Sequence, residues 1–152
     1  MATGILLLVI VSALGTGPGR SCGCKPAAED DSPRGAHMFI QAAAQSVRQI
    51  RGKVTVPTGD PVEAGIVEIY DHSSRDKGVA LNRIADTRKR RTACLTNKEG
   101  EFCFDRLPAG EYFLKVGTIT PTGGMESTYM IVKLVPHLRN KRTLKISLEP
   151  GI

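Results

Sequence analysis

The sequence predicts an all-β protein, an antiparallel or mixed β-sandwich behind a disordered N-terminal tether. Two observations predict it. From Gln49 onward apolar and polar residues alternate with period two, and the alternating segments are broken by Gly, Pro, Asn and Asp at the spacing of a sandwich, while helix-period runs are nearly absent. The 152 residues are 41% hydrophobic, 24% charged and 5% aromatic with no Trp, a composition that suits one domain plus a tail and excludes disordered and collagen-like chains.

Residues 1–19 carry no charged side chain, and their apolar run from Ile5 to Leu14 is about half the ~20 residues that a spanning helix needs. The small and helix-breaking residues that follow it, GTGPG, complete the order of an export signal, with cleavage after Gly15 or Gly19. The alternative is a buried N-terminal strand or helix of the domain. Residues 20–45 read as a flexible tether, with Arg20, Lys25 and Arg34 balanced by Glu29, Asp30 and Asp31 and interrupted by Pro26 and Pro33. Cys22 and Cys24 stand where a bacterial lipoprotein carries its lipid, although Arg20 departs from the small residues usual before such a cysteine; a plain secreted form is the other reading. The Ala-rich segment 38–47 makes a helical turn or two against the sandwich, or is still tether.

The domain occupies 46–149, with 150–152 as a tail. Strands are expected at 50–56, where Ile50, Gly52, Val54 and Val56 share a face, and at 64–70, with Val67 and Ile69 facing together. The stretch to Arg91 reads as a strand or two around 79–85 with an exposed basic connection. Further strands are expected at 92–96, 101–105, 111–118, 127–135 and 142–149, the last placing Leu144, Ile146 and Leu148 on one face.

Residues 92–112 hold two turns. Asn97-Lys98-Glu99-Gly100 joins two strands, and a four-residue loop there would set Cys94 opposite Cys103, near the span of a disulfide, on the outer face because Phe102 and Phe104 point inward. Two thiols, or a bulge that breaks the pairing, are the alternatives. The second turn, Leu107-Pro108-Ala109-Gly110-Glu111-Tyr112, resembles the tyrosine corner of β-sandwiches, a structural role for Leu107, Pro108, Gly110 and Tyr112. Together, GKVTVPTGDPVEAGIVEIY and TNKEGEFCFDRLPAGEYFLKV resemble the carboxypeptidase regulatory-like domain. That resemblance implies a prealbumin-like (transthyretin-like) seven-stranded β-sandwich over residues 49–149 and a module that accompanies or presents something else, without the metallopeptidase domain that gives the family its name.

Charge concentrates in residues 75–91, where Arg75, Lys77, Arg83, Arg88, Lys89, Arg90 and Arg91 face only Asp76 and Asp86, a net of +5 out of the chain's +6. Such a stretch suits an anionic surface, a polysaccharide or an acidic protein; the bland reading is a solvated loop, and dibasic processing is a third. No aromatic residue is interleaved with the cations, so nucleic acid is not expected. A membrane is expected only through a lipid anchor, and no cofactor or metal is expected. The histidines His37, His72 and His137 sit outside any hydrolase or metal motif, and His72 beside Asp71, Ser73 and Ser74 is the one local cluster with hydrolytic atoms. The expected function is therefore a non-catalytic exported module for binding or presentation, with edge-strand assembly through 144–148, or a small hydrolase, as alternatives.

Overall fold

The computed structural model describes residues 25–28, 42–119 and 125–148. The export signal at 1–19, the lipidation candidates Cys22 and Cys24, His37 and the tail at 150–152 lie outside the described residues. The described residues form nine strands, β1 (Lys25–Pro26), β2 (Ala42–Val47), β3 (Ile50–Thr55), β4 (Ile66–Asp71), β5 (Thr92–Leu95), β6 (Glu101–Phe104), β7 (Gly110–Ile119), β8 (Met125–Leu134) and β9 (Leu144–Ser147), with one short helix, α1 (Leu81–Thr87).

The protein is all-β, and the strands divide into two sheets, a larger one in the order β1-β5-β4-β7-β8-β2 and a smaller one in the order β6-β3-β9. Both are mixed, since β2 runs parallel to β8 and β3 parallel to β9. The strands number nine rather than the expected seven. Seven lie between Ile50 and Ser147, and the other two come from stretches read as tether. Lys25–Pro26 pairs with Leu95 and Cys94, and Ala42–Val47 pairs with β8 instead of making helical turns. Tertiary contact overrides the helix propensity of the alanines there: the edge of β8 offers backbone partners, and Val47 is fully buried in the core.

Residues 79–85 are a further correction, because Leu81–Thr87 is helical. Leu81, Ile84 and Ala85 stand at i, i+3 and i+4, the spacing that turns one helical face toward a partner. That face packs Leu81 and Ile84 against Tyr70, Phe113 and Tyr129 on the outer side of the large sheet, where Tyr70 and Phe113 stack with centroids 4.6 Å apart. The main core lies between the sheets and joins Val67, Ile69, Leu114, Val116 and Val132 to Ile50, Val54, Phe102, Leu144 and Ile146. Gly52 is required by this packing, since a Cβ there would lie 2.6 Å from the Leu144 carbonyl oxygen and 2.7 Å from the Phe102 ring.

Candidate functional site

The cysteine pairing differs from the expectation. Cys94 is a buried thiol in the core cluster, and Cys103 belongs to a disulfide whose other half lies outside the described residues. The reason is topological. The 97–100 turn forms, with the Asn97 side chain accepting from the Glu101 amide at 2.7 Å and Gly100 at φ +74°, but the strands it joins go to different sheets. Cys94 is registered against Val67 on β4 and Cys103 against Arg51 on β3, so the two cysteines never face each other. Sulfur at position 94 points between the sheets, and sulfur at position 103 lies on the outer side of the small sheet, where Gln49 Nε2 approaches it at 3.4 Å.

At the second turn the Tyr112 hydroxyl donates to the Pro108 carbonyl oxygen at 2.6 Å, while its ring joins the main core beside Leu107. Burial raises the Tyr112 hydroxyl's pKa, and the Arg91 guanidinium, 5.9 Å from the ring centroid, opposes that rise.

Two ion pairs, Arg90–Glu68 and Arg91–Asp71, fasten the basic stretch at 75–91 to the large sheet, and a third, Arg88–Asp76, closes within the stretch itself. Arg88 grips Asp76 through both nitrogens, at 2.5 and 2.9 Å, and donates to the Asp71 carbonyl oxygen. Burial works to raise the Asp76 carboxyl, but hydrogen bonds from Arg88 and from the Ser73 amide and hydroxyl outweigh it and hold the group below the usual carboxylate range. Arg91 Nε donates to Asp71 Oδ1 at 2.7 Å, and that bond raises the guanidinium further. Arg90 reaches Glu68 Oε1 at 3.0 Å and the Ala28 carbonyl oxygen of the N-terminal segment at 2.9 Å. Arg75, Lys77, Arg83 and Lys89 remain exposed on the surface of this segment.

Glu68 itself is fully buried on the outer face of the large sheet, in register with Lys115, which is only 3% exposed. Lys115 Nζ stands 3.5 Å from Glu68 Oε2, so one carboxylate neutralises two cations from different elements. This buried charge was not legible beforehand, because period-two alternation places Lys115 on the outer face and says nothing of what covers that face.

The two described histidines, His72 and His137, do not come together in a shared pocket. His72 Nδ1 pairs with Glu111 at 2.5 Å beside β7, whereas His137 is exposed in the β8–β9 connection. Among the described residues no group of three His, Cys, Asp or Glu side chains is placed to hold a metal ion.

A second basic region emerges where the β2–β3 turn meets the β8–β9 connection. A cavity of about 490 Å³ is lined by Arg48, Gln49, Arg51, Pro136, Lys141 and Arg142, and an adjoining one of about 400 Å³ by Ser46, Leu138, Arg139, Asn140 and Arg142. Five cations therefore line one cleft, and among the described residues none that lines it is acidic; Asp105 lies at its edge, accepting from Gln49 at 3.1 Å. The walls are built by local backbone geometry. The Val135 amide donates to the Val47 carbonyl oxygen at 2.8 Å, tying the start of one connection to the end of β2, and the Leu138 amide folds back onto Val135 at 3.0 Å. Arg48 and Arg51 flank Ile50, which is buried in the core and fixes the turn between them.

Two short acid-free windows, 46–56 with Arg48, Arg51 and Lys53 and 136–145 with Arg139, Lys141, Arg142 and Lys145, were the available signal. A balanced charge sum outside 75–91 hides them, because the compensating acids lie elsewhere in space. Such a cleft can hold an anion by charge-assisted hydrogen bonds, since three of the four cations at the larger cavity are arginines with paired donors. No protein-family model matches the chain, and no curated protein matches it.

Proposed function

We propose that the chain is a non-catalytic, exported β-sandwich module of the carboxypeptidase regulatory-like, prealbumin-like type that binds an anionic partner. The single observation that supports the binding reading is the cleft, where five cations line one surface and, among the described residues, no acidic side chain joins them. The 75–91 stretch is the weaker candidate, because three of its arginines already hold carboxylates of the protein. The deciding experiment compares two variants of equal charge change on immobilised dextran sulfate. Arg51→Glu/Arg142→Glu should elute at much lower salt than Arg75→Glu/Lys89→Glu; equal shifts, or a larger shift for the second pair, would reject the cleft. Export is tested by intact mass of the protein from membrane and soluble fractions, which should start near residue 16 or 20, or at an acylated Cys22 or Cys24.

A second reading, assembly by strand pairing, is favoured by one observation. Strand β9 is the edge of the small sheet, with β3 on one side. Light scattering should then show an oligomer that Ile146→Pro disperses, whereas a monomer at micromolar concentration would end this reading.

A further inference from the structure

We infer that the anion is an acidic polysaccharide, a chain carrying carboxylate or sulfate groups, and that it runs out of the cleft over the outer face of β3 and β9. This rests on the reading of the cleft as the binding surface and adds the class of ligand and its path. The two cavities meet at Arg142, so the cations form a track rather than a socket for one small ion. The track does not stop at the cleft. Arg51 and Lys53 share the outer face of β3, separated by about 6.8 Å at two strand residues, and Lys53 is in register with Lys145 on β9. All three are exposed, and the acid on that face in register with β3 is Glu101, opposite Lys53. A linear polyanion can engage cleft and face together, which a monovalent ligand cannot.

The lining chemistry speaks against two other classes of polyanion, single-stranded nucleic acid and an anionic bilayer. Among the described residues no aromatic side chain lines either cavity, so the bases of a single-stranded nucleic acid would lack a stacking surface there. The exposed large hydrophobic side chain among the described residues is Val79, on the loop before α1 and not among the residues lining the cleft, so no such apolar group accompanies the cations into a bilayer. Arginine forks match carboxylate and sulfate alike.

The test measures binding of the full chain at low salt to oligogalacturonates and to sulfated dextran oligomers of increasing length. Polyglutamate, oligothymidylate, anionic phosphatidylglycerol vesicles and neutral dextran are the other arms. Affinity for one or both acidic polysaccharides should rise with length and fall with salt, at a log–log slope of about −3.5 at most for short chains that reach the five cleft cations and about −5 at most for long chains that also reach Lys53 and Lys145. Arg51→Glu/Arg142→Glu should weaken every length at least about tenfold, and Lys53→Glu/Lys145→Glu about threefold on long chains only. Preference for galacturonate or for sulfated dextran identifies the charged group and supports the inference either way. Tighter binding of polyglutamate, oligothymidylate or vesicles, or affinity independent of length, overturns it while the anion-binding reading stands if the cleft variant still abolishes binding. Absence of binding to every polyanion overturns both. Glutamine replacements at Arg51 and Arg142 serve as the second variant, and should give a smaller loss in the same order.

Discussion

The molecule has two basic regions, and they differ in what their cations face. In the 75–91 segment, Arg88, Arg90 and Arg91 meet Asp76, Glu68 and Asp71, and the segment is held against the large sheet beside α1. In the cleft, Arg48, Arg51, Arg139, Lys141 and Arg142 line a space with no acidic side chain among the described residues that line it. The first region gathers a net +5 in one run of sequence, whereas the second draws its five cations from two windows far apart along the chain, and it is the second that has more charge left to offer a partner. Charge density along a sequence measures neither burial nor pairing; a cation contributes to recognition according to the anions that the fold brings to it.

The comparison can be broken most severely at Glu68. Glu68→Ala leaves Arg90 and the nearly buried Lys115 without their shared carboxylate, and should cost about 3–5 kcal/mol, read as a shift of the chemical denaturation midpoint. A loss below about 1 kcal/mol would show that the cluster is well solvated and that the 75–91 segment is only loosely fastened.

The next effect is on binding. Arg51→Glu/Arg142→Glu should weaken polyanion binding at least about tenfold, or about 1.4 kcal/mol, with little change in the denaturation midpoint because both side chains are exposed.

A smaller effect sharpens the pinned side. Asp76→Asn should cost about 1 kcal/mol, since Arg88 is partly solvated, and should speed amide exchange in the residues around Arg88. The same carboxylate sets a pH dependence with a definite sign. Its folded pKa lies below the unfolded value, so its contribution is fully present above the ordinary carboxylate pKa of about 3.9 and is lost as pH falls through the lowered folded value. Denaturation midpoints of the native chain and of Asp76→Asn should therefore converge on acidification; curves that stay parallel would contradict the clamp. Smallest of all, Arg75→Glu/Lys89→Glu should change polyanion affinity less than about twofold and stability within about 0.5 kcal/mol.

How much of this was legible in the sequence follows from the range of the forces involved. Alternation along one strand reports which residues face a core, and it put Phe102, Phe104, Tyr112, Leu114, Leu144 and Ile146 inward, where they lie. It failed where two strands had to be related to each other. The turn at 97–100 reads as a hairpin, but its strands part into two sheets, and that single divergence takes Cys94 into the core and away from Cys103. It failed also where propensity and context disagree, as at Ala42–Val47, whose alanines favour helix until β8 offers an edge. The helix at Leu81–Thr87 had a visible period, masked by the surrounding charge. The cleft was out of reach for a different reason: Arg48 and Arg142 are far apart along the chain, and only the meeting of the β2–β3 turn with the β8–β9 connection puts them in one wall. Two acid-free windows were there to be read, but their convergence was not.

The central claim is that the cleft, and not the denser basic stretch, is the surface that meets an anion. Its most direct test is a titration of the isotope-labelled full chain with an oligogalacturonate or a sulfated dextran oligomer, following backbone amide shifts. The account predicts that shifts concentrate at residues 46–53 and 136–145 and that 75–91 stays unmoved; shifts centred on 75–91, or none at either region, would contradict it.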